Sequence, residues 1–487
     1  MRASYSYSLL TLLALAADVL VFAAPSPSQP PGQTIRLSRR TVDRTVEEWG
    51  AWAKSHREGL TNKYNGGNAK ARAKRGTGTN LVVNQNADST YFGSIAVGTP
   101  PVAFDVILDT GSADLWLADS TCSVGCQEIT TFDSAASSSF TNLTTSFSIT
   151  YGSGAAAGTL GQDVIQMAGF SVSNQTFATV DQVSDGLLTS PVSGLMGLAF
   201  QTIASSGATP FWQNLVESGA WDSPVMSFQL TRYVDQPRAQ SLEAGGTFTM
   251  GFVNDTLYTG DIDFVDIPGG TGSYWILEMS ALSVGGTSMT LPSGSGSYAA
   301  IDTGTTLVGG PASVISQLYA AIPNAQAGTG DYEGYYIYPC SESVTVDVAF
   351  GGRTWSISPS DFMLAQLSQT QCLGAFFELD MGSSSAPSWI VGDTFLKNVY
   401  SVFRYSPPSI GFANLSTTAT AMNGDLDAVV PTPTLGSAAA AITATGRSGS
   451  GSGRTSSSSP ATLRVPRVEP TMLLTFIGLV IGLLSVV

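Results

Sequence analysis

Short runs of alternating apolar and polar residues, separated by Gly, Ser, Asn and Asp turns, occupy the chain from residue 80 to residue 415. Clear examples are residues 91–97, 103–108, 147–151 and 344–350. Alternation with a period of two is typical of strands, and closely spaced turns favour an all-β fold. Helical patterns are few, and they predict short helices over residues 211–218, 311–321 and 359–364.

The N-terminal end has the pattern of a secretory signal peptide, which we predict over residues 1–23. Arg2 precedes a mostly apolar stretch, and small residues come before position 24. Residues 24–75 carry 11 Lys and Arg against 4 Asp and Glu, and they end in the dibasic pair Lys74 and Arg75. We interpret them as a pro-segment that is removed by processing after this pair. Its basic charge opposes that of the acidic body, so acidification should weaken their attraction.

The C-terminal end changes composition twice. Residues 416–459 are rich in Ser, Thr, Ala and Gly, which predicts a flexible stalk that includes a GPI-attachment region at 448–459. Residues 460–487 form a spacer and a terminal apolar tail, as in a GPI signal that is cleaved off. The alternative is a short transmembrane helix, since the uncharged run of residues 471–487 is at the lower limit for spanning a bilayer.

Charge and histidine content exclude several functions. Residues 76–487 hold 9 basic and 31 acidic side chains, and such an acidic body disfavours nucleic-acid binding. The one histidine, His56, lies in the segment predicted to be removed. A mature chain without histidine has no Ser/His or Cys/His catalysis and no histidine metal site. Hydrolytic chemistry would then depend on carboxylates, Lys, Tyr or a terminal amine, and no metal or cofactor is expected.

Four cysteines fit an oxidising compartment and allow three disulfide connectivities. Pairing of near neighbours, with one bridge in each half of the body, is the simplest. Asn-X-Ser/Thr sequons predict glycosylation at Asn142, Asn174, Asn254 and Asn414.

The body contains an internal repeat. An Asp-Thr-Gly triplet follows an apolar run at Asp109 and again at Asp302. Two apolar residues and a glycine follow each triplet, and the glycines Gly197 and Gly392 lie 88 and 90 residues after the respective aspartates. One such triplet is usually only a turn. Two matched copies predict two similar β lobes that bring the aspartates face to face.

A pair of facing carboxylates supports hydrolysis without metal or histidine. Two carboxyl groups in close contact cannot both be ionised, because their negative charges repel, so the pair shares one proton. The ionised member can take a proton from water, while the protonated member donates to a substrate carbonyl.

These motifs resemble those of the pepsin-like aspartic endopeptidases over residues 85–415. The resemblance includes Tyr-Phe-Gly at 91–93, Gly-Thr-Pro-Pro at 98–101, the flap sequence Ile-Thr-Tyr-Gly-Ser-Gly at 149–154 and Trp-Ile-Val-Gly-Asp-Thr-Phe at 389–395. It implies an all-β, bilobal fold with two lobes related by a pseudo-two-fold axis, a central cleft and a few short helices. The lobes would span residues 76–265 and 266–415.

The resemblance also implies roles for individual residues. The catalytic pair would be Asp109 and Asp302, and the disulfides would be Cys122–Cys126 and Cys340–Cys372. Acids outside the pair, namely Asp114, Asp163 and Asp393, are expected in turns or on the surface. The residues expected to support the catalytic pair are Thr110, Gly111, Ser112, Thr303, Gly304 and Thr305. Those expected to bind substrate are Tyr151, Gly152 and Ser153 of the flap, with Trp116 and Ile107.

Together with the two ends of the chain, these features resemble fungal yapsin-like proteases, which are held at the cell surface by a GPI anchor. They predict a monomeric, secreted endopeptidase that acts on polypeptides and reaches the plasma membrane or cell wall through the ER. Extracellular soluble and vacuolar locations are the alternatives. Two other functions are alternatives. One is a binding protein that has the same fold but has lost catalysis, and the other is a structural cell-wall glycoprotein. Neither explains two intact triplets.

Overall fold

A computed structural model describes residues 75–270, 272–380, 386–433 and 440–444. The signal peptide, the pro-segment before Arg75, the GPI-attachment region and the apolar tail lie outside these residues. The described residues contain the following strands: β1 Gly78–Gln85, β2 Thr90–Val97, β3 Val102–Asp109, β4 Leu115–Ala118, β5 Thr141–Tyr151, β6 Gly154–Met167, β7 Phe170–Val183, β8 Val192–Gly197, β9 Val225–Leu230, β10 Leu242–Met250, β11 Tyr258–Asp266, β12 Ile276–Glu278, β13 Ala281–Val284, β14 Thr287–Ser288, β15 Tyr298–Ile301, β16 Val308–Gly310, β17 Gln326–Ala327, β18 Tyr336–Pro339, β19 Val346–Ala349, β20 Thr354–Ile357, β21 Met363–Gln366, β22 Gln371–Gly374, β23 Phe376–Glu378, β24 Trp389–Val391, β25 Val399–Arg404, β26 Ser409–Leu415 and β27 Ala440–Thr443.

The described helices are short: α1 Phe211–Glu217, α2 Ala312–Ala320, α3 Pro359–Phe362, α4 Asp393–Leu396 and α5 Thr417–Ala421. The first three confirm the helices predicted from sequence, although the third ends early because β21 begins at Met363. Pro311 and Pro359 mark the starts of α2 and α3, where a missing backbone N–H costs nothing. The all-β prediction is confirmed, and the sheets divide between two lobes.

The two lobes repeat the same strand arrangement. In the first, β3 runs parallel to β8, which pairs antiparallel with β4, and β4 pairs parallel with β7. In the second, β15, β24, β16 and β23 pair in the same order and directions. The glycines after the apolar pairs are needed for this packing, since a side chain at Gly197 or Gly392 would collide with the backbone of the adjacent chain segment. The repeat seen in the sequence is therefore a repeat of structure.

A large sheet joins the halves. Its strands run in the order β11, β26, β25, β9, β10, β1, β2, β3, β8, β4, β7, β6 and β5, and β27 pairs with β7. The largest apolar cluster extends through both halves and includes the buried rings of Trp212, Trp275 and Trp389. The second lobe also has two four-stranded sheets, β14-β13-β19-β20 and β17-β18-β22-β21.

The first part of the predicted stalk is folded, which corrects the expectation of a flexible segment there. Helix α5 packs through Ala419 into an apolar cluster with Tyr400 and Val402. Further along, Val430 and Ile442 pack against the apolar clusters of the body. Strand β27 pairs in parallel with β7, from Ala440 opposite Phe170 to Thr443 opposite Ser173. We call residues 428–433 and 440–444 the strap.

Candidate active site

The two aspartates lie at the ends of equivalent strands. Asp109 is the last residue of β3, and its carbonyl accepts a hydrogen bond from the N–H of Leu198 at 2.7 Å. Asp302 follows β15, and its N–H donates to the carbonyl of Val391 at 3.0 Å. Both side chains are buried, with exposed fractions of 5% and 8%. The neighbouring strand in each lobe thus fixes the backbone that carries each carboxylate.

Each carboxylate accepts the same pair of hydrogen bonds. For Asp109, the donors are the N–H of Gly111 at 2.7 Å and the hydroxyl of Ser112 at 2.5 Å. For Asp302, they are the N–H of Gly304 at 2.8 Å and the hydroxyl of Thr305 at 2.7 Å. These donors favour an ionised carboxylate and hold its orientation.

The threonines of the two triplets bond across the pseudo-two-fold axis. The Thr110 hydroxyl donates to the carbonyl of Ile301 at 2.8 Å, and the Thr303 hydroxyl donates to that of Leu108 at 2.6 Å. Each hydroxyl also accepts the other threonine's backbone N–H, at 3.0 and 3.1 Å. Both residues are buried, so these reciprocal bonds are shielded from water and fix the separation of the loops.

The glycines let the carboxylates approach. A side chain on Gly111 would collide with the carboxylate of Asp302, and one on Gly304 would collide with that of Asp109. Each triplet therefore leaves room for the aspartate of the other lobe.

Electrostatics place a proton on this pair. Burial raises the pKa of Asp109 well above its ordinary value, and the charge of Asp302 raises it further. Hydrogen bonds from Ser112 and Gly111 oppose this rise in pKa, while the hydrogen bond with Asp302 adds to it. One carboxyl thus keeps its proton at a pH where an isolated aspartate would be ionised.

The flap is the hairpin of β5 and β6. Tyr151 ends β5, and Gly152 and Ser153 form the exposed tip between the strands. The Tyr151 hydroxyl accepts a hydrogen bond from the buried indole N–H of Trp116 at 2.8 Å. Burial and the charge of Asp109 raise the pKa of Tyr151, so its hydroxyl stays neutral. Ile107 packs with both rings in one apolar cluster.

Three acids expected in turns or on the surface are instead buried, which corrects that expectation. Asp114 accepts hydrogen bonds from the backbone N–H groups of Ser205 and Ser206, so it supports the loop after β8. Asp163 accepts bonds from the hydroxyl of Ser139 and its neighbour's N–H. An acid in a turn or loop has the same sequence pattern whether its side chain is exposed or buried, so the sequence did not indicate the burial of these residues.

Asp393 is the third buried acid, at the start of α4. Burial raises its pKa well above the ordinary value, the nearby charge of Lys397 lowers it, and the charges of Asp302 and Asp109 raise it again. One of its carboxyl oxygens has no hydrogen-bond partner in the described structure. Asp393 follows Gly392 directly at the end of a buried strand, and this position could have indicated from the sequence that its side chain is buried.

A buried ion network lies next to this helix. The Lys397 ammonium contacts Asp88 at 2.8 Å and Asp361 at 2.9 Å, and Arg232 pairs with Asp361 at 2.5 Å. Asp88 belongs to the turn between β1 and β2, so the network joins that turn to the second triplet's lobe. Nearby, the Thr306 hydroxyl donates to the carbonyl of Ser89 at 2.6 Å.

Comparison with known proteins decides the family. The family model described as eukaryotic aspartyl protease matches residues 90–415. The chain belongs to this family. It is 41% identical to Major aspartyl peptidase 1 of Cryptococcus neoformans var. grubii over 432 residues. This alignment covers 83% of this chain and 88% of the relative.

More distant relatives have the same kind of name. Cathepsin D of Dictyostelium discoideum is 33% identical and covers 69% of this chain and 86% of its own length. Pepsin A of Sus scrofa is 32% identical, and the alignment covers 67% of this chain and 81% of the pepsin. As a eukaryotic aspartyl protease, this chain is an aspartic-type endopeptidase that acts on polypeptides.

Features outside the cleft include two disulfides and four sequons. Disulfides join Cys122 to Cys126 and Cys340 to Cys372, the pairs implied by the resemblance. The sequon residues Asn142, Asn174 and Asn414 are exposed, and Asn254 is partly exposed. None of the helices in the described part of the chain is both long and apolar enough to cross a membrane.

Proposed function

We propose that this protease is secreted, tethered at the cell surface and active at acidic pH, and that Asp109 and Asp302 activate the attacking water. The observation that carries the catalytic proposal is the matched pair of buried carboxylates, held by equivalent donors on two loops that hydrogen-bond to each other. The tether rests on the sequence alone, since the GPI-like tail lies outside the described residues.

In the proposed reaction, the ionised carboxylate takes a proton from a water molecule, whose oxygen attacks the scissile carbonyl carbon. The protonated carboxyl donates its proton to the carbonyl oxygen, which gives a neutral tetrahedral diol. Collapse of the diol breaks the C–N bond as the amine nitrogen receives a proton and a diol hydroxyl gives one back. Tyr151, Gly152 and Ser153 would close over the peptide, with Trp116 and Ile107 supporting the flap.

Hydrolysis of a mixed peptide library tests this proposal. The secreted protein, processed after Arg75 and ending before the tail, would be compared with Asp109→Asn at about pH 4, near the ordinary pKa of a carboxyl. We expect cleavage that both this substitution and pepstatin abolish. An inert wild-type protein with residues 24–75 removed would favour a binding protein on this fold instead.

Release from intact cells tests the tether separately. A GPI-anchored protein is freed by a phosphatidylinositol-specific phospholipase, whereas a spanning helix needs detergent. Release into the medium without either treatment would contradict the anchor and favour the soluble alternatives.

A further inference from the structure

A second cavity lies on the first lobe, away from the catalytic pair. It has a volume of about 430 Å³, and none of the residues that line it belongs to the triplet loops or the flap. Its walls are β1, β2 and the turn between β6 and β7, and residues 429–433 of the strap form one side. This part of the strap follows the region matched by the family model, which ends at residue 415.

The cavity exists because β1 and β2 diverge. They pair only from Val83 to Gln85, opposite residues 90–92. Beyond this point the Asn80 side chain bridges the gap, with its amide donating to the carbonyl of Ser94 at 2.7 Å and accepting that residue's N–H at 3.2 Å. The residues that line the remaining space include Leu81 and Val429, whose apolar side chains are 56% and 89% exposed.

Asp105 faces this cavity from β3. Its carboxylate makes no hydrogen bond or ion pair with any described residue, and it is the only ionisable side chain among the residues that line the cavity. Burial, without an opposing charge nearby, raises its pKa to about 6. An unpaired, half-buried carboxylate beside an apolar surface is costly unless a partner of opposite charge neutralises it.

We propose that this cavity binds a singly charged ammonium or guanidinium group on an apolar stem, with Asp105 pairing the cation and the exposed apolar side chains of Leu81 and Val429 covering the stem. The volume falls within the usual range for small-molecule sites. A single carboxylate among neutral neighbours offers too few oxygen ligands for Ca²⁺ or Mg²⁺, so an organic cation fits better than a metal. The cation could be a free small molecule or a basic side chain of a polypeptide.

Calorimetric titration with Nα-acetylarginine amide tests the site. The protein would carry Asp109→Asn so that peptide probes survive, and Nα-acetylcitrulline amide serves as the neutral isostere. We expect saturable binding of the arginine probe only, with affinity at least about tenfold lower in Asp105→Asn, because a charge-assisted hydrogen bond is lost. The matched control Asp185→Asn removes an exposed acid outside the cavity and should leave binding unchanged.

The pH dependence gives a second readout that needs no substitution at the site. Because the pKa of Asp105 is about 6, its ionised fraction falls roughly tenfold between pH 7 and pH 5, and affinity should fall with it. Equal binding of the citrulline probe, unchanged affinity in Asp105→Asn, or no saturation by the arginine probe would each overturn the proposal. A hexapeptide with a central arginine separates the sources: tighter binding than the amide supports a polypeptide, and weaker binding supports a free cation.

Discussion

The hydrogen bonds to the two catalytic carboxylates differ in one donor residue, which is Ser112 in the first lobe and Thr305 in the second. The glycine N–H donors and the threonine bonds match across the axis. The donors to each carboxylate lie within three residues of the aspartate, which is why the Asp-Thr-Gly motif alone predicted these hydrogen bonds. The bonds between Thr110 and Thr303 join residues 193 positions apart, and only the internal repeat indicated that they would meet.

Thr303→Val should damage both stability and catalysis. The substitution removes the donor to the Leu108 carbonyl and the acceptor of the Thr110 N–H, both buried, so the free energy of unfolding should fall by about 1–3 kcal/mol. The turnover number should also fall, by at least about tenfold, because the separation of the carboxylates is no longer fixed. Urea unfolding and peptide hydrolysis measure the two effects. The matched variant Thr303→Ser keeps the hydroxyl and should retain most of both, and equal losses in the two variants would contradict this account.

Asp393→Asn should change how stability depends on pH. The pKa of Asp393 is raised in the folded protein, so the folded state keeps a proton that the unfolded chain releases above the ordinary carboxyl pKa. Wild-type stability should therefore fall as the pH rises, by up to about 1.4 kcal/mol per pH unit from this group. The asparagine variant should lack this part of the slope between pH 4 and pH 7. Urea unfolding across that range measures it, with Asp185→Asn as the control, and parallel slopes would count against a buried, protonated Asp393.

At the scale of elements, the repeated strand order places each carboxylate and the flap places Tyr151. Alternation and turns predicted strands such as β3, whose burial alternates along much of its length. Strands β4 and β8 are buried at every position and show no such alternation. Pairings such as that of β1 with β10 depend on contacts far apart in the sequence and could not be read from local pattern.

Tyr151→Phe should lower kcat/KM by about tenfold, the effect of losing roughly one hydrogen bond at the reacting centre. It leaves the indole N–H of Trp116 buried without its acceptor and removes the flap's fixed position. Hydrolysis of a single fluorogenic peptide measures the change. Tyr258→Phe is the control, because that hydroxyl makes no hydrogen bond with described residues. An unchanged kcat/KM in Tyr151→Phe would mean that the hydroxyl does not position the flap.

At the scale of the whole molecule, the ion network and the strap are the features that the sequence concealed. Lys397 and Asp88 are 309 residues apart, and no pattern links them. The packing of the strap could not be predicted from its composition, since the many small and polar residues around Val430 and Ile442 favoured a solvated stalk. The side chains of Val430, Ile442 and Ala444 pack against the body, and β27 pairs with β7.

Lys397→Met should lower the free energy of unfolding by about 3–5 kcal/mol, because it leaves the buried carboxylate of Asp88 without a cation. Adding Asp88→Asn should recover part of the loss by removing that charge. Chemical unfolding of the single and double variants gives the coupling, and Arg238→Met, at an exposed position, is the control. Additive losses in the double variant would show that the two residues do not interact.

Removal of the strap should lower thermal stability and promote association. A chain ending after Asp427 loses the partly buried contacts of Val430 and Ile442, a cost of about 1–3 kcal/mol, and exposes the edge of β7 at Phe170–Ser173. Scanning calorimetry and light scattering measure these effects. A chain ending after Ala444 keeps the strap and is the control, and a monomer of equal stability without the strap would contradict its structural role.

The strap also brings the two ends of the folded body together. Gly76 lies beside the ring of Phe170, and β27 begins opposite that same residue. The residue after β27, Ala444, donates its N–H to the carbonyl of Ser173. Three residues of strand span only about 10 Å, so a short linker could join the ends. The exposed loop at residues 235–241 could then supply new termini. A circularly permuted protease of this kind would have its lobes in a different chain order around an unchanged cleft.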